Sequence, residues 1–208
     1  MQAVVPQFFA EKRPHQGLTY TDYIAQWREK LREPVAGLDK DARKMRHFMR
    51  YNIERTERVE AAYQPSEELL ASMRAIDEPQ LWMVITEEWC GDAAYNLPLI
   101  NAAASTSEHV DLRIIHRDAN LDIMDQYQTA GTRSIPKLVA FTLEGEELFQ
   151  WGPRPQSLVQ ERERWKEDGI EGMEMVSASV NWYDAGNWID AEPELAALIA
   201  GSAAAVES

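Results

Sequence analysis

Cys90 is the single cysteine of the chain, and it sits in the run Trp89-Cys90-Gly91-Asp92-Ala93. An apolar segment, Leu81-Trp82-Met83-Val84-Ile85-Thr86, precedes it, and a helical pattern follows from about Asp92 to Ala104. Cys90 therefore falls in the first turn of a helix. Unsatisfied backbone N–H groups and the positive end of the helix dipole there favour thiolate over thiol, and thiolate is the nucleophilic form. Glu87, Glu88 and Asp92 act the other way, because negative neighbours raise a thiol's pKa. From spacing alone two readings stand: an activated nucleophile, or a small buried apolar residue.

A thiol at a strand–helix junction needs a sheet to hold the junction. The run Leu81–Thr86 reads as a buried strand, Asp111–His116 as a second and Lys137–Thr142 as a third. The turn Glu144-Gly145 returns the chain as a hairpin partner over Glu147–Trp151. Between these lie a short helix over Leu121–Tyr127 and, after the hairpin, a polar helix over about Pro155–Glu167. The tail carries an aromatic cluster, Trp182, Tyr183 and Trp188, and then a helix from about Pro193 to Ala200. Upstream, residues 1–18 read as an irregular lead-in broken by Pro6, Pro14 and Gly17. A helix capped near Thr19 follows, with Ile24, Trp27 and Leu31 at helical spacing. A long helix over about Asp41–Tyr63 places Met45, Phe48, Met49, Asn52, Ile53, Thr56 and Val59 on one stripe, and Pro65-Ser66-Glu67-Glu68 opens a third. This order predicts an α/β fold: a central mixed sheet flanked by helices, with reactive groups collecting at the edge where parallel strands end. The expected organisation is an N-terminal helical extension over 1–79 packed on a sheet domain over 80–208 that ends in a helical tail.

Trp89-Cys90-Gly91-Asp92-Ala93 resembles the Trp-Cys-Gly-x-Cys motif of thioredoxins, and Ser134-Ile135-Pro136, immediately before a strand, resembles their cis-proline loop. The resemblance covers about residues 80–170 and implies a thioredoxin-like fold. It makes Cys90 the catalytic residue and Trp89, Gly91, Asp92, Ile135 and Pro136 the substrate-binding ones, with the Ile135 backbone beside the thiol to pair with an incoming strand. Together with Trp151-Gly152-Pro153-Arg154-Pro155 and Trp182-Tyr183, the motif looks like that of a little-characterised bacterial group with an N-terminal helical extension and alanine at the position of Ala93. That alanine is the departure that matters. Dithiol reduction needs a second thiol to attack the mixed disulfide, and Ala93 has none. A one-thiol cycle is what the chemistry allows: Cys90 attacks and an external thiol such as glutathione resolves the adduct. The alternative is a non-catalytic binding protein that uses the cis-proline groove.

Other constellations are weaker. Arg117 and Asp118 end a strand at the reactive edge, and either a solvated loop or a pocket wall suits them. Arg154 fits a ligand's carboxylate or phosphate, with a proline-fixed turn holding Trp151 in the core as the competing account. His15, His47, His109 and His116 are scattered, so no metal site and no cofactor is expected. The formal net charge of -14 argues against nucleic acid and against an anionic membrane surface. The expected partner is a protein or small-molecule thiol or disulfide. A single cysteine permits no internal disulfide, and no apolar run is long enough for a membrane span, so the cytoplasm is the expected compartment. The N-terminal helices have two uses open to them: an interface in a homodimer, or a cover for the chain's own sheet.

Overall fold

The computed structural model describes residues 5–206, so Met1–Val4 of the expected lead-in lie outside the described residues. The sheet has four strands: β1 (Gln80–Thr86), β2 (Val110–His116), β3 (Lys137–Thr142) and β4 (Glu147–Trp151), in the order β2-β1-β3-β4. β1 and β2 run parallel, with Gln80 opposite Val110 and Thr86 opposite His116, whereas β3 is antiparallel to both β1 and β4. The mixed sheet expected from the sequence is present. All seven residues of β1 are buried, as befits a central strand covered on both faces.

Alternation along β1 divides the interior in two. Trp82 and Val84 face one apolar cluster, while Leu81, Met83 and Ile85 face the other. The first cluster is built from α2 (Tyr20–Arg32), α3 (Lys40–Ala62), α4 (Glu67–Arg74), α5 (Gly91–Ala104) and α9 (Ala191–Val206). Thr19 caps α2 by accepting from the Asp22 N–H, Asp39 caps α3 from Ala42, and Ser66 caps α4 from Leu69. The stripe predicted on α3 is the face that packs, with Met49, Asn52, Ile53, Thr56 and Val59 buried. Its polar members earn their burial by hydrogen bonding: Asn52 Nδ2 donates to the Glu88 carbonyl at 3.2 Å and Thr56 Oγ1 to the Ala94 carbonyl at 3.1 Å. α3 and α4 thus lie against α5 of their own chain, and α2 lies against α3 and β2.

Two elements differ from the sequence expectation. The lead-in contains α1 (Gln7–Ala10), which sets Phe8 and Phe9 into the second cluster against Phe141 and Tyr127. Four residues are too few for a periodic pattern, so only the burial of two adjacent aromatics marks it. The lead-in is pinned further on, where Leu18 and Ile114 exchange backbone hydrogen bonds of 2.8 Å along the free edge of β2. The second difference is α8 (Gly172–Asp184), a helix standing where only an aromatic cluster was read. It exposes Met173 and Val176, so no clean apolar stripe announces it. The short α6 (Leu121–Met124) and the polar α7 (Gln156–Glu167) occupy their expected places.

Phe9→Ala should destabilise the protein by about 3–5 kcal/mol in urea unfolding, the cost of emptying a buried aromatic site. A loss below about 0.5 kcal/mol would show that the lead-in is not part of the core.

Candidate functional site

Cys90 is the N-cap residue of α5, held by its own N–H donating to the Glu87 carbonyl at 3.0 Å. Its side chain lies on the second cluster, beside Ala93 and Ile135, and only 6% of the residue is exposed. The thiol sulfur is 3.1 Å from the Ile135 carbonyl oxygen, to which it donates. That contact brings the two sequence motifs together, and the Ile135–Pro136 peptide bond is cis. Of the two readings that spacing left open, these surroundings favour the buried neutral thiol over the activated one. Burial pushes the thiol up to about 12, and the Asp92 carboxylate adds to it. The Ala93 and Asp92 N–H groups and the Arg154 charge oppose the rise without reversing it. A thiol that donates to a carbonyl is also one whose neutral form is preferred.

The acids around the motif divide by role. Asp92 accepts from Arg154 Nη2 at 2.6 Å and from the Tyr183 hydroxyl at 3.1 Å. Glu88 is buried and paired with Lys30 at 2.6 Å. Glu87 accepts from the Asp118 N–H at 2.8 Å. Burial works against its charge, yet His116 and that N–H outweigh the burial and hold its carboxyl below the usual range. Glu87, Glu88 and His116 place one possible ligand atom each within 4.8 Å of one another, an association that the scattered histidine spacing did not foretell. The carboxylates are already met by Lys30 and the Asp118 N–H, so protein donors use the set.

A cavity of about 880 Å³ opens over Cys90. Of the residues expected to bind substrate, Trp89, Gly91, Asp92 and Ile135 are among those lining it and Pro136 is not. Arg117 also lines it, its guanidinium carbon 4.8 Å from the centre of the Trp89 ring. Trp151 is in the core with its indole N–H on Glu194 at 2.8 Å, while Arg154 lines the cavity. Gly152 makes this possible. At φ +107°, any Cβ there would collide with the Pro136 carbonyl, so the two proline loops sit in backbone contact.

Several site residues had no sequence signature of their own. Arg55 from α3, Arg162 from α7 and Ser179 from α8 line the cavity without one, beside Tyr183 of the aromatic cluster read in the tail. Asn96, fully buried in α5, donates to the Tyr183 hydroxyl at 3.1 Å and to the Pro153 carbonyl at 3.3 Å. Asn52 and Asn96 each interrupt an apolar helix face, and that interruption was the available signal.

A family profile described as Thioredoxin matches residues 39–166, more than half of the chain. The chain belongs to the thioredoxin family. The match begins at the cap of α3, so two of the upstream helices lie within the thioredoxin-family region. No curated protein matches the chain by sequence. Among solved structures, the Pseudomonas aeruginosa protein PA1234, described as of unknown function, is 18% identical at a TM-score of 0.52, over 93% of this chain and 94% of its own. An HIV epitope-scaffold is 17% identical at a TM-score of 0.59, over 92% of this chain and 97% of its own. Both likenesses show a shared fold.

The folded thiol keeps its proton to higher pH than an unfolded one, so its contribution to stability is full below pH ~9 and fades as pH rises toward about 12. Urea unfolding should therefore show wild type losing stability relative to Cys90→Ala from neutral pH to pH ~10. A gap between the two that does not change with pH would mean an ordinary thiol. Asp92→Asn removes a charge that raises the thiol's pKa, and it should speed alkylation at pH ~8 several-fold.

Proposed function

We propose that this thioredoxin-family chain is a ligand-binding protein that uses the cavity over the cis-proline loop, with Cys90 kept as a protonated thiol in the free protein. The observation that carries this reading is the environment of the sulfur: buried, donating to the Ile135 carbonyl, pushed up to about 12, and faced by Ala93 where a second sulfur would be needed. Trp89, Gly91, Asp92 and Ile135 are then ligand contacts, and Pro136 the residue that sets the loop. A lone thiol that does not turn over suits a reducing cytoplasm, and alanine at position 93 resembles the motif of a bacterial thioredoxin-like group that lacks the second cysteine.

One observation favours a second reading. Cys90 is one of the residues lining the cavity, and its sulfur feels the Arg154 charge, which favours thiolate. In that case the Cys90 thiolate attacks a disulfide and forms a mixed disulfide while one thiolate leaves. An external thiolate, glutathione for instance, then attacks the mixed disulfide and returns Cys90 as thiolate.

Glutathione-dependent reduction of a small disulfide separates the two. Wild type and Cys90→Ser should give the same rate as buffer. Turnover by wild type that Cys90→Ser abolishes would overturn the binding reading and put single-thiol exchange in its place.

A further inference from the structure

The cavity over Cys90 has a charge opposite to that of the chain around it. The protein carries a formal net charge of -14. Yet Lys44, Arg55, Arg117, Arg133, Arg154 and Arg162 all line the cavity, and Asp92 is its only carboxylate among the described residues. Arg117 and Arg133 are met outside the cavity by Asp118 and Asp125, and Arg154 is met by Asp92. Lys44, Arg55 and Arg162 have no carboxylate within ion-pair distance among the described residues. Arg55 donates instead to Asn52 Oδ1 at 2.9 Å and Arg162 to Ser179 Oγ at 2.5 Å.

Arg162 is the informative member. It is half-buried, and both its burial and the charge of Arg154 push its pKa down, with Asp92 as the carboxylate acting against them. Two guanidinium groups that depend on one carboxylate leave a positive field unanswered at the inner wall. Guanidinium forks match the oxygen geometry of phosphate and carboxylate. Three cations without acid partners call for more charge than one carboxylate brings, whereas a phosphate monoester carries up to about two negative charges. The outer wall is of another kind: Tyr51, Met173 and Val176 are 47%, 51% and 42% exposed, and all three line the cavity. Its volume of about 880 Å³ far exceeds an inorganic ion and lies within the range of small-molecule sites.

The geometry points to a binding site for a small organic phosphate, its anionic group held by Arg162, Arg154 and Arg55 and its aromatic or aliphatic body laid on Tyr51, Met173 and Val176. This rests on the binding reading above and names its ligand class.

Titration calorimetry at low salt, with inorganic phosphate and phenyl phosphate as probes, tests it. Phenyl phosphate should bind about tenfold or more tightly than phosphate, because the ring adds apolar burial to the same ionic contacts. Arg162→Gln and Arg55→Gln should each weaken both probes about tenfold, the effect of losing one charge-assisted hydrogen bond. Met173→Ser should weaken phenyl phosphate alone. Arg74→Gln, at an exposed arginine of α4 paired with Glu67, should change neither. Unfolding curves check each variant; Arg55→Gln, whose one side-chain contact is with Asn52, decides the matter if Arg162→Gln does not fold. No binding of phenyl phosphate at millimolar concentration overturns the proposal, as does equal weakening by Arg74→Gln or equal affinity for the two probes. Calorimetry reads binding without thiol turnover. Disulfide exchange by Cys90 would therefore overturn the binding-only reading and leave the phosphate site standing, while absent heat would overturn the site and leave the thiol question to its own assay.

Discussion

The carboxylate of Asp92 joins segments that sequence separates by up to ninety-one positions. It stands in the first turn of α5, takes Arg154 from the loop after β4, and accepts the hydroxyl of Tyr183 from α8. Neither member of the ion pair is free in water: the Arg154 and Asp92 side chains are 20% and 14% exposed. Desolvation consumes much of the Coulombic gain of such a pair, so its main effect is on geometry, and removing one partner would leave a poorly hydrated charge. Asn96 reinforces the same junction by bonding both Tyr183 and the Pro153 carbonyl, and Tyr183 stacks on Tyr95 with ring centres 4.4 Å apart. The helix that carries Cys90, the loop that carries Arg154 and the helix that closes the cavity are thereby held in one arrangement.

That arrangement also sets the surroundings of the sulfur. A helix N-terminus stabilises a negative charge by roughly 0.3–1 kcal/mol, up to about 2 in partly buried settings. Burial can move a pKa by as much as about 3–5 units, each unit being 1.36 kcal/mol. With Asp92 adding its own negative charge beside the thiol, the desolvation outweighs the dipole. In a dithiol thioredoxin-type cycle the sulfur must repeatedly become thiolate. Here the surroundings suit a neutral donor to the Ile135 carbonyl, and Ala93 fills the space beside it with a methyl group.

The upstream helices help to make the cavity as well as to bury the sheet. α3 sends Asn52 to the backbone of Glu88, two residues before the thiol, and places Arg55 on the cavity wall. α2 sends Lys30 to Glu88. A thioredoxin-type strand–helix junction is thus gripped from outside by elements that the four-stranded sheet does not itself require. The close approach of Gly152 to the Pro136 carbonyl joins the two loops that carry Arg154 and Ile135, both of which line the cavity.

Local pattern alone determined much of this protein. The four strands, the capped helices α2 to α4 and the strand–helix position of Cys90 follow from apolar periodicity and capping residues, and its pairing with the Ser134-Ile135-Pro136 loop follows from the resemblance to thioredoxins. Each depends on residues close in sequence or on a motif order that the family shares. Tertiary structure alone decided that the sulfur is buried and its pKa raised, because desolvation is a sum over neighbours from α5, the cis-proline loop and the sheet. It likewise decided that Glu88 is buried against Lys30, that α1 belongs to the core, and that cations from α3, α7 and three loops face one cavity. Opposed effects on one group, and charges gathered from distant segments, have no local period; they come into being when the chain closes on itself.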